Sequence, residues 1–280
     1  DFGFVDPPLR ITARGRDMRF DALNARGAAI AAMLTPVISG LDVLSDFAET
    51  PEGFRCTVTE PERVYDEEER SRAPSVFSVL RAVTDHFASD EDDQLGLYGA
   101  FGYDLVFQFE PIELTLPRPD DQRDLVLFLA DEITLVDHYA VRAFTLIYSF
   151  ADGDAETAAL PGGSPAAHYV PGPSDLPRGD HAPGEYAALV TKAKESFRRG
   201  DLFEVVPGQV FYEPCPEPPS AVFRRLRKIN PAPFGFLINL GEAEYLVGAS
   251  PEMFVRVTGR RVETCPISGT IKRGADAIED

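Results

Sequence analysis

The stretch Phe234-Gly235-Phe236-Leu237-Ile238-Asn239-Leu240-Gly241-Glu242-Ala243-Glu244-Tyr245-Leu246-Val247-Gly248-Ala249 decides the fold. Two apolar runs of strand length, 234–240 and 244–249, flank the dipeptide Gly241-Glu242, which has hairpin-turn chemistry. A second pair follows at once: 253–257, the turn Thr258-Gly259-Arg260, and 261–266, which leads into Ile267-Ser268-Gly269-Thr270. Strands joined by such short turns must be antiparallel, because a parallel pair needs a crossover of about a dozen residues or more.

Working outward, Tyr186, Leu189, Val190, Ala193 and Phe197 recur at helical spacing, with Lys192, Arg198 and Arg199 toward the C-terminal end and Gly200 as the natural stop. Residues 202–212 read as a strand and 220–228 as a second helix. Farther upstream, 9–23 reads as a strand pair turning near Arg14-Gly15-Arg16. An Ala-rich helix over 28–34 is expected to end before Pro36. Acidic 64–72 reads as a solvated loop, and Pro74 opens a helix with Val76, Phe77, Leu80, Val83, Thr84 and Phe87 on one face. Residues 95–104 alternate large residues with glycines, the mark of a strand with close backbone neighbours. Three more strand-like runs cover 124–130, 132–137 and 140–150. Residues 151–183 are rich in Pro and Gly and poor in apolar side chains, so they read as a linker or long excursion.

The pattern predicts an α+β fold with large antiparallel sheets and flanking helices. Its organisation is an N-terminal region over 1–150, the linker over 151–183, and a third region over 184–280.

Composition excludes several functions. The chain of 280 residues carries 46 acidic and 27 basic side chains, a net charge of −19. That field repels nucleic acid and anionic membrane, so neither is an expected partner. An anionic small substrate would need a local basic pocket or a metal ion. No apolar run approaches the roughly 20 residues of a membrane span. The N-terminus, Asp1-Phe2-Gly3-Phe4, has no signal-peptide pattern, and it lacks an initiator Met, as a fragment would. The three cysteines, Cys56, Cys215 and Cys265, form neither a disulfide framework nor a metal pattern and fit a reducing cytoplasm. His86, His138, His168 and His181 pair with no ligand at metal spacing, and no nucleophile elbow, Walker loop or dinucleotide fingerprint is present.

Chemistry concentrates in the last third. Gly269 allows close approach of a ligand, its N–H and the Thr270 hydroxyl can donate to a carboxylate, and Lys272 and Arg273 lie just beyond. These residues form either an anion pocket or a hairpin corner with solvated basic side chains.

The order of segments narrows the choice. Gly200-Asp201-Leu202-Phe203-Glu204-Val205-Val206-Pro207, Asn230-Pro231-Ala232-Pro233-Phe234, Gly248-Ala249-Ser250-Pro251-Glu252 and Pro266-Ile267-Ser268-Gly269-Thr270 with Arg273-Gly274 resemble, in order, motifs of the chorismate-utilising enzymes. They are most similar to the large subunit of anthranilate synthase, in its form fused to a glutamine amidotransferase. Tyr98-Gly99-Ala100-Phe101-Gly102-Tyr103-Asp104 resembles that family's Gly-rich strand.

The resemblance implies that chorismate and ammonia yield anthranilate and pyruvate, the first committed step of tryptophan biosynthesis. It implies Gly269 and Thr270 as the substrate-contacting pair. It also implies part of a tryptophan effector site at Pro233, Phe234 and Gly235, although the Leu-Leu-Glu-Ser type half of that site has no counterpart here. The implied cofactor is Mg²⁺, and the implied ammonia source is a glutamine amidotransferase domain or subunit. The family's metal glutamates, catalytic His and carboxylate-binding Arg lie farther downstream than Asp280, so no catalytic or metal residue is assigned within this chain, which alone is expected to be inactive. Ser268 stands where aminodeoxychorismate synthases carry a nucleophilic Lys, and a hydroxyl cannot form that amine adduct. An aminodeoxyisochorismate synthase of phenazine-type pathways shares this feature and is one alternative. A non-catalytic scaffold that kept the chorismate-binding sheet is the other.

Overall fold

Five-residue β7 (Leu125–Leu129) is buried at every position, so both of its faces are covered. The computed structural model describes all residues except 62, 64, 92, 111, 115, 116, 165–167, 268, 270 and 280. The chain divides into two units, Asp1–Ala166 and Ala167–Asp280.

In the first unit, β7 shares a six-stranded sheet with β2 (Leu9–Arg14), β3 (Asp17–Ala22), β4 (Leu44–Thr50), β5 (Gly53–Val58) and β6 (Leu97–Phe101). The strand order is β4-β5-β3-β2-β7-β6. All of its pairings are antiparallel. β2 and β3 turn at Gly15-Arg16, where Gly15 takes a positive φ of 57° that costs glycine nothing.

Helices α1 (Ala25–Ser39) and α2 (Val76–His86) supply Ile30, Leu34, Ile38, Val76, Val79 and Val83 to a core shared with Leu9, Ile11, Phe20, Phe54 and Leu127. Phe20 and Phe54 stack at 4.3 Å between ring centroids. Each such buried side chain contributes about 1.5–3 kcal/mol relative to exposure.

Asn24 caps α1 by accepting the Gly27 N–H at 3.0 Å. The helix then crosses the chain at Pro8 so closely that a Cβ on Gly27 would lie 1.9 Å from the Pro8 carbonyl oxygen. Contrary to expectation, α1 does not stop before Pro36 but runs on to Ser39. The carbonyl left without a donor is that of Ala32, on the exposed side, while Ile38 beyond the proline is fully buried. Core packing therefore outweighs the lost helical bond.

The other face of the sheet carries Phe4, Tyr98 and Phe128 in tilted aromatic contact. A three-stranded sheet is made by β1 (Phe2–Gly3), β8 (Glu132–Asp137) and β9 (Arg142–Ile147), with β8 in the middle. The Arg16 guanidinium donates to the carbonyls of Thr59, Pro74 and Gln108, and the Gln108 side chain caps the Val76 N–H at 3.0 Å. This clamp ties the β2–β3 turn to the start of α2. A small hairpin, β10 (Ala151–Asp152) with β11 (Ala155–Glu156), sits at the start of the Pro/Gly-rich stretch. Buried Thr157 closes it onto the Phe150 N–H at 2.9 Å.

The second unit holds α3 (Glu185–Arg199), α4 (Pro219–Ile229), β12 (Phe234–Gly241), β13 (Glu244–Ser250), β14 (Met253–Thr258) and β15 (Arg261–Cys265). α3 ends at Gly200 in the left-handed region, with a φ of 81°. The two expected hairpins form, β12 with β13 and β14 with β15. The first turn falls one residue later than expected, at Glu242-Ala243, and both residues have positive φ.

The strand expected over 202–212 does not form. Only Phe211 makes a bridge, to Gly179. Pro207 lacks a donor and interrupts any ladder. The segment is strapped instead by Asp180, whose N–H donates to the Val210 carbonyl and whose carboxylate accepts the Val210 N–H at 3.0 Å. Among the described residues, no helix is long and apolar enough to cross a membrane.

Candidate functional site

Of the motif segments, residues 233–235, 248–252 and the stretch after Cys265 lie at the ends of the two hairpins of the second unit, whereas residues 200–207 follow α3. β12 opens on Phe234, paired with Ser250, and continues through Gly235 with Ala249 and Phe236 with Gly248. The Phe236 ring lies over Gly248, where a Cβ would come within 2.1 Å of a ring atom. Only glycine allows that contact. Helix α4 packs its Phe223 ring beside Gly235, where a Cβ would stand 3.5 Å from the ring edge, an ordinary contact. The Pro-Phe-Gly segment thus lies between the helix and the Gly-Ala-Ser-Pro-Glu segment. Pro233, Phe234 and Gly235 are all exposed, Phe234 to 41%.

Beyond β13 the chain makes a local turn. The Ser250 hydroxyl accepts the Glu252 N–H at 3.2 Å and donates to the Glu252 carbonyl at 3.1 Å. The Glu252 carboxylate accepts the Ile267 N–H at 3.4 Å, just past the end of β15. Glu263 on β15 is held by Arg256 at 3.0 Å and Arg261 at 2.6 Å, so it is committed to ion pairs. Gly269 is exposed, with open space where a Cβ would stand. Ser268 and Thr270 lie outside the described residues. Lys272 and Arg273 are exposed.

Sequence pattern gives Glu252 no role beyond its place in the motif, and its contact with Ile267 is visible only in the fold. The available signal is Ser250 two positions before Glu252, a spacing that favours a side-chain turn. The strap at Asp180 is likewise silent in the sequence. His181 Nδ1 lies 2.6 Å from the Asp180 carboxylate, and this hydrogen bond, followed by that of the Val210 N–H, holds the carboxyl below its ordinary range.

Charge is divided unevenly. Residues 1–166 contain 13 basic and 31 acidic side chains, a net of −18, whereas residues 167–280 contain 14 and 15, a net of −1. The second unit is nearly neutral, so its own charge does not oppose an anionic ligand. Among the described residues, no group of three or more His, Cys, Asp or Glu side chains could hold a metal ion.

Comparison with known proteins identifies the family. The chain is 53% identical over 278 residues to an anthranilate synthase of Azospirillum brasilense, covering 99% of this chain and 38% of that protein. It is 30% identical over 288 residues to anthranilate synthase component 1 of Vibrio cholerae, covering 98% of this chain and 54% of the relative. The chain thus spans about four-tenths to a half of the length of these relatives. The crystal structure of anthranilate synthase component I from Streptococcus pneumoniae superposes with a TM-score of 0.56 at 18% identity, covering 94% of this chain and 52% of that one. That likeness shows the same mixed fold with antiparallel sheets. The family model for chorismate binding enzymes matches residues 45–280, and the chain belongs to that family.

Proposed function

We propose that the protein of which these residues form part is an anthranilate synthase, a lyase that converts chorismate and ammonia to anthranilate, pyruvate and water. The observation that carries this reading is the run of ordered motifs on consecutive elements, from the end of α3 through the two hairpins to Gly269. The 53% identity to an anthranilate synthase across almost the whole chain supports it.

In this reading the Gly269 N–H and the Thr270 hydroxyl bind a substrate carboxylate, and glycine is required so that the backbone can approach it. Ser268 beside them leaves the ring open to ammonia, because its hydroxyl offers no amine to form a covalent adduct. Ammonia adds to the ring as the ring hydroxyl leaves with a proton, as water. The enolpyruvyl group is then eliminated as pyruvate, and loss of a ring proton makes the product aromatic. Mg²⁺, if bound, would supply charge neutralisation for the substrate carboxylate.

The ammonia source is a glutamine amidotransferase, fused in the same polypeptide. Relative length supports fusion: 278 aligned residues are 38% of the Azospirillum relative, about 730 residues in all, against 288 at 54%, about 530, for the Vibrio component 1. Tryptophan is the proposed effector, at Pro233–Gly235, and the cytoplasm the proposed compartment. Incubating the full-length gene product with chorismate, Mg²⁺ and ammonium tests the reaction. Equimolar pyruvate and fluorescent anthranilate are expected. An aminated ring that accumulates without pyruvate, or para-aminobenzoate as the amine, would exclude it.

A further inference from the structure

Two residues, Pro251 and Glu252, link the first hairpin of the second unit to the next, because β13 ends at Ser250 and β14 begins at Met253. A residue before proline is biased to extended backbone, and the proline ring fixes its own φ. The link therefore has few conformations before any side chain acts. The Ser250 hydroxyl removes most of those remaining, since it binds both the N–H and the carbonyl of Glu252. Glu252 is thereby set so that its carboxylate meets the Ile267 N–H. The register brings the same positions together from both sides. Phe234 and Ser250 are one rung of the first hairpin, and Met253 and Cys265 are one rung of the second, two residues before Ile267.

We infer that Ser250 is a positioning residue that holds Glu252 against the main chain of the loop carrying Ile267 and Gly269. The inference rests on the reading of Gly269 as a substrate contact. The hydrogen bonds involved are exposed, and each contributes little to stability. Their effect is on where the loop sits, and displacement of about 1 Å at a reacting centre can lower a rate a hundredfold.

The test uses the full-length gene product with Ser250→Ala and Ser250→Thr. In Ser250→Ala, amide exchange at Ile267 should quicken about tenfold, and kcat for chorismate should fall about tenfold or more with KM changed by less than about threefold. Ser250→Thr keeps a hydroxyl and should restore both. Unchanged Ile267 exchange in Ser250→Ala overturns the inference, as does a loss that Ser250→Thr fails to restore. If the unaltered protein does not turn over chorismate, the functional reading falls. The exchange comparison between the two variants still decides the placement of the loop.

Discussion

β7 and β14 are both short and apolar, yet all five residues of Leu125–Leu129 are buried while five of the six in Met253–Thr258 are exposed. Among the described residues, Leu240 is the one buried apolar side chain of the second unit, and the first unit contains the rest of the core. Sequence pattern separates the two strands only in part: β7 is apolar throughout, whereas Arg256 and Thr258 interrupt the apolar run of β14. What separates them further is an opposing layer. β7 has helices on one side and an aromatic cluster on the other, whereas among the described residues β14 pairs with β15 alone. The first unit therefore has a core of its own, and the second carries the candidate site residues on less cohesive structure.

The largest expected difference is in core truncation. Leu127→Ala should destabilise the chain by about 2–5 kcal/mol, and Phe254→Ala, at a side chain 89% exposed, by less than about 0.5 kcal/mol. Urea unfolding of the two variants measures both, and similar costs would break the comparison.

Glycines give the next contrast. Gly27→Ala should cost about 1–3 kcal/mol, because the added Cβ would overlap the Pro8 carbonyl. Gly269→Ala meets open space and should leave the unfolding midpoint unchanged, while raising the KM for chorismate in the full-length protein. A fall in midpoint for Gly269→Ala equal to that of Gly27→Ala would show a packed loop and contradict the placement.

A smaller effect is expected at the first hairpin turn of the second unit. Ala243 is held at a φ of 61°. Ala243→Gly should remove left-handed strain of about 1 kcal/mol, partly offset by backbone entropy, and raise the thermal midpoint slightly. A lower midpoint would place the turn elsewhere.

Cysteine chemistry sharpens the same division with almost no effect on stability at neutral pH. Burial, with Asp17 and Asp46 nearby, pushes the Cys56 thiol up to about 12. Its folded value lies above the unfolded one, so its contribution is whole below about pH 9 and is lost as pH rises toward the folded value. At pH 8 a thiol reagent should label exposed Cys215 and Cys265 quickly, and Cys56 only after urea opens the first unit. Rapid labelling of all three in native buffer would refute the buried assignment.

The elements legible in the sequence are those with their own stop signals. Gly200 ends α3, and Gly15 and Gly259 mark turns through a positive φ that other residues avoid. Local pattern misleads where a distant contact outweighs it. Ile38 in the core carries α1 past Pro36, and residues 202–212 make, among the described residues, one isolated bridge and are held by Asp180. The first hairpin turn falls beyond Gly241, the residue with the strongest turn chemistry, because the pairing of Gly241 with Glu244 leaves Glu242 and Ala243 to reverse the chain. Of the candidate site, the motifs and their order are legible. The turn of Ser250 around Glu252 is local, but the Glu252–Ile267 contact that joins two of the motifs depends on pairing register that no local pattern encodes.

The proposal that the candidate residues of the second unit bind chorismate is tested most directly by hydrogen exchange of the full-length protein with and without chorismate and Mg²⁺. Slowed exchange confined in this chain to the second unit, centred on the peptides around Gly248–Glu252 and Ile267–Gly269, with β2, β3 and β7 unchanged, is the predicted result. Protection that appears in the first unit and leaves the Gly269 loop untouched would contradict it.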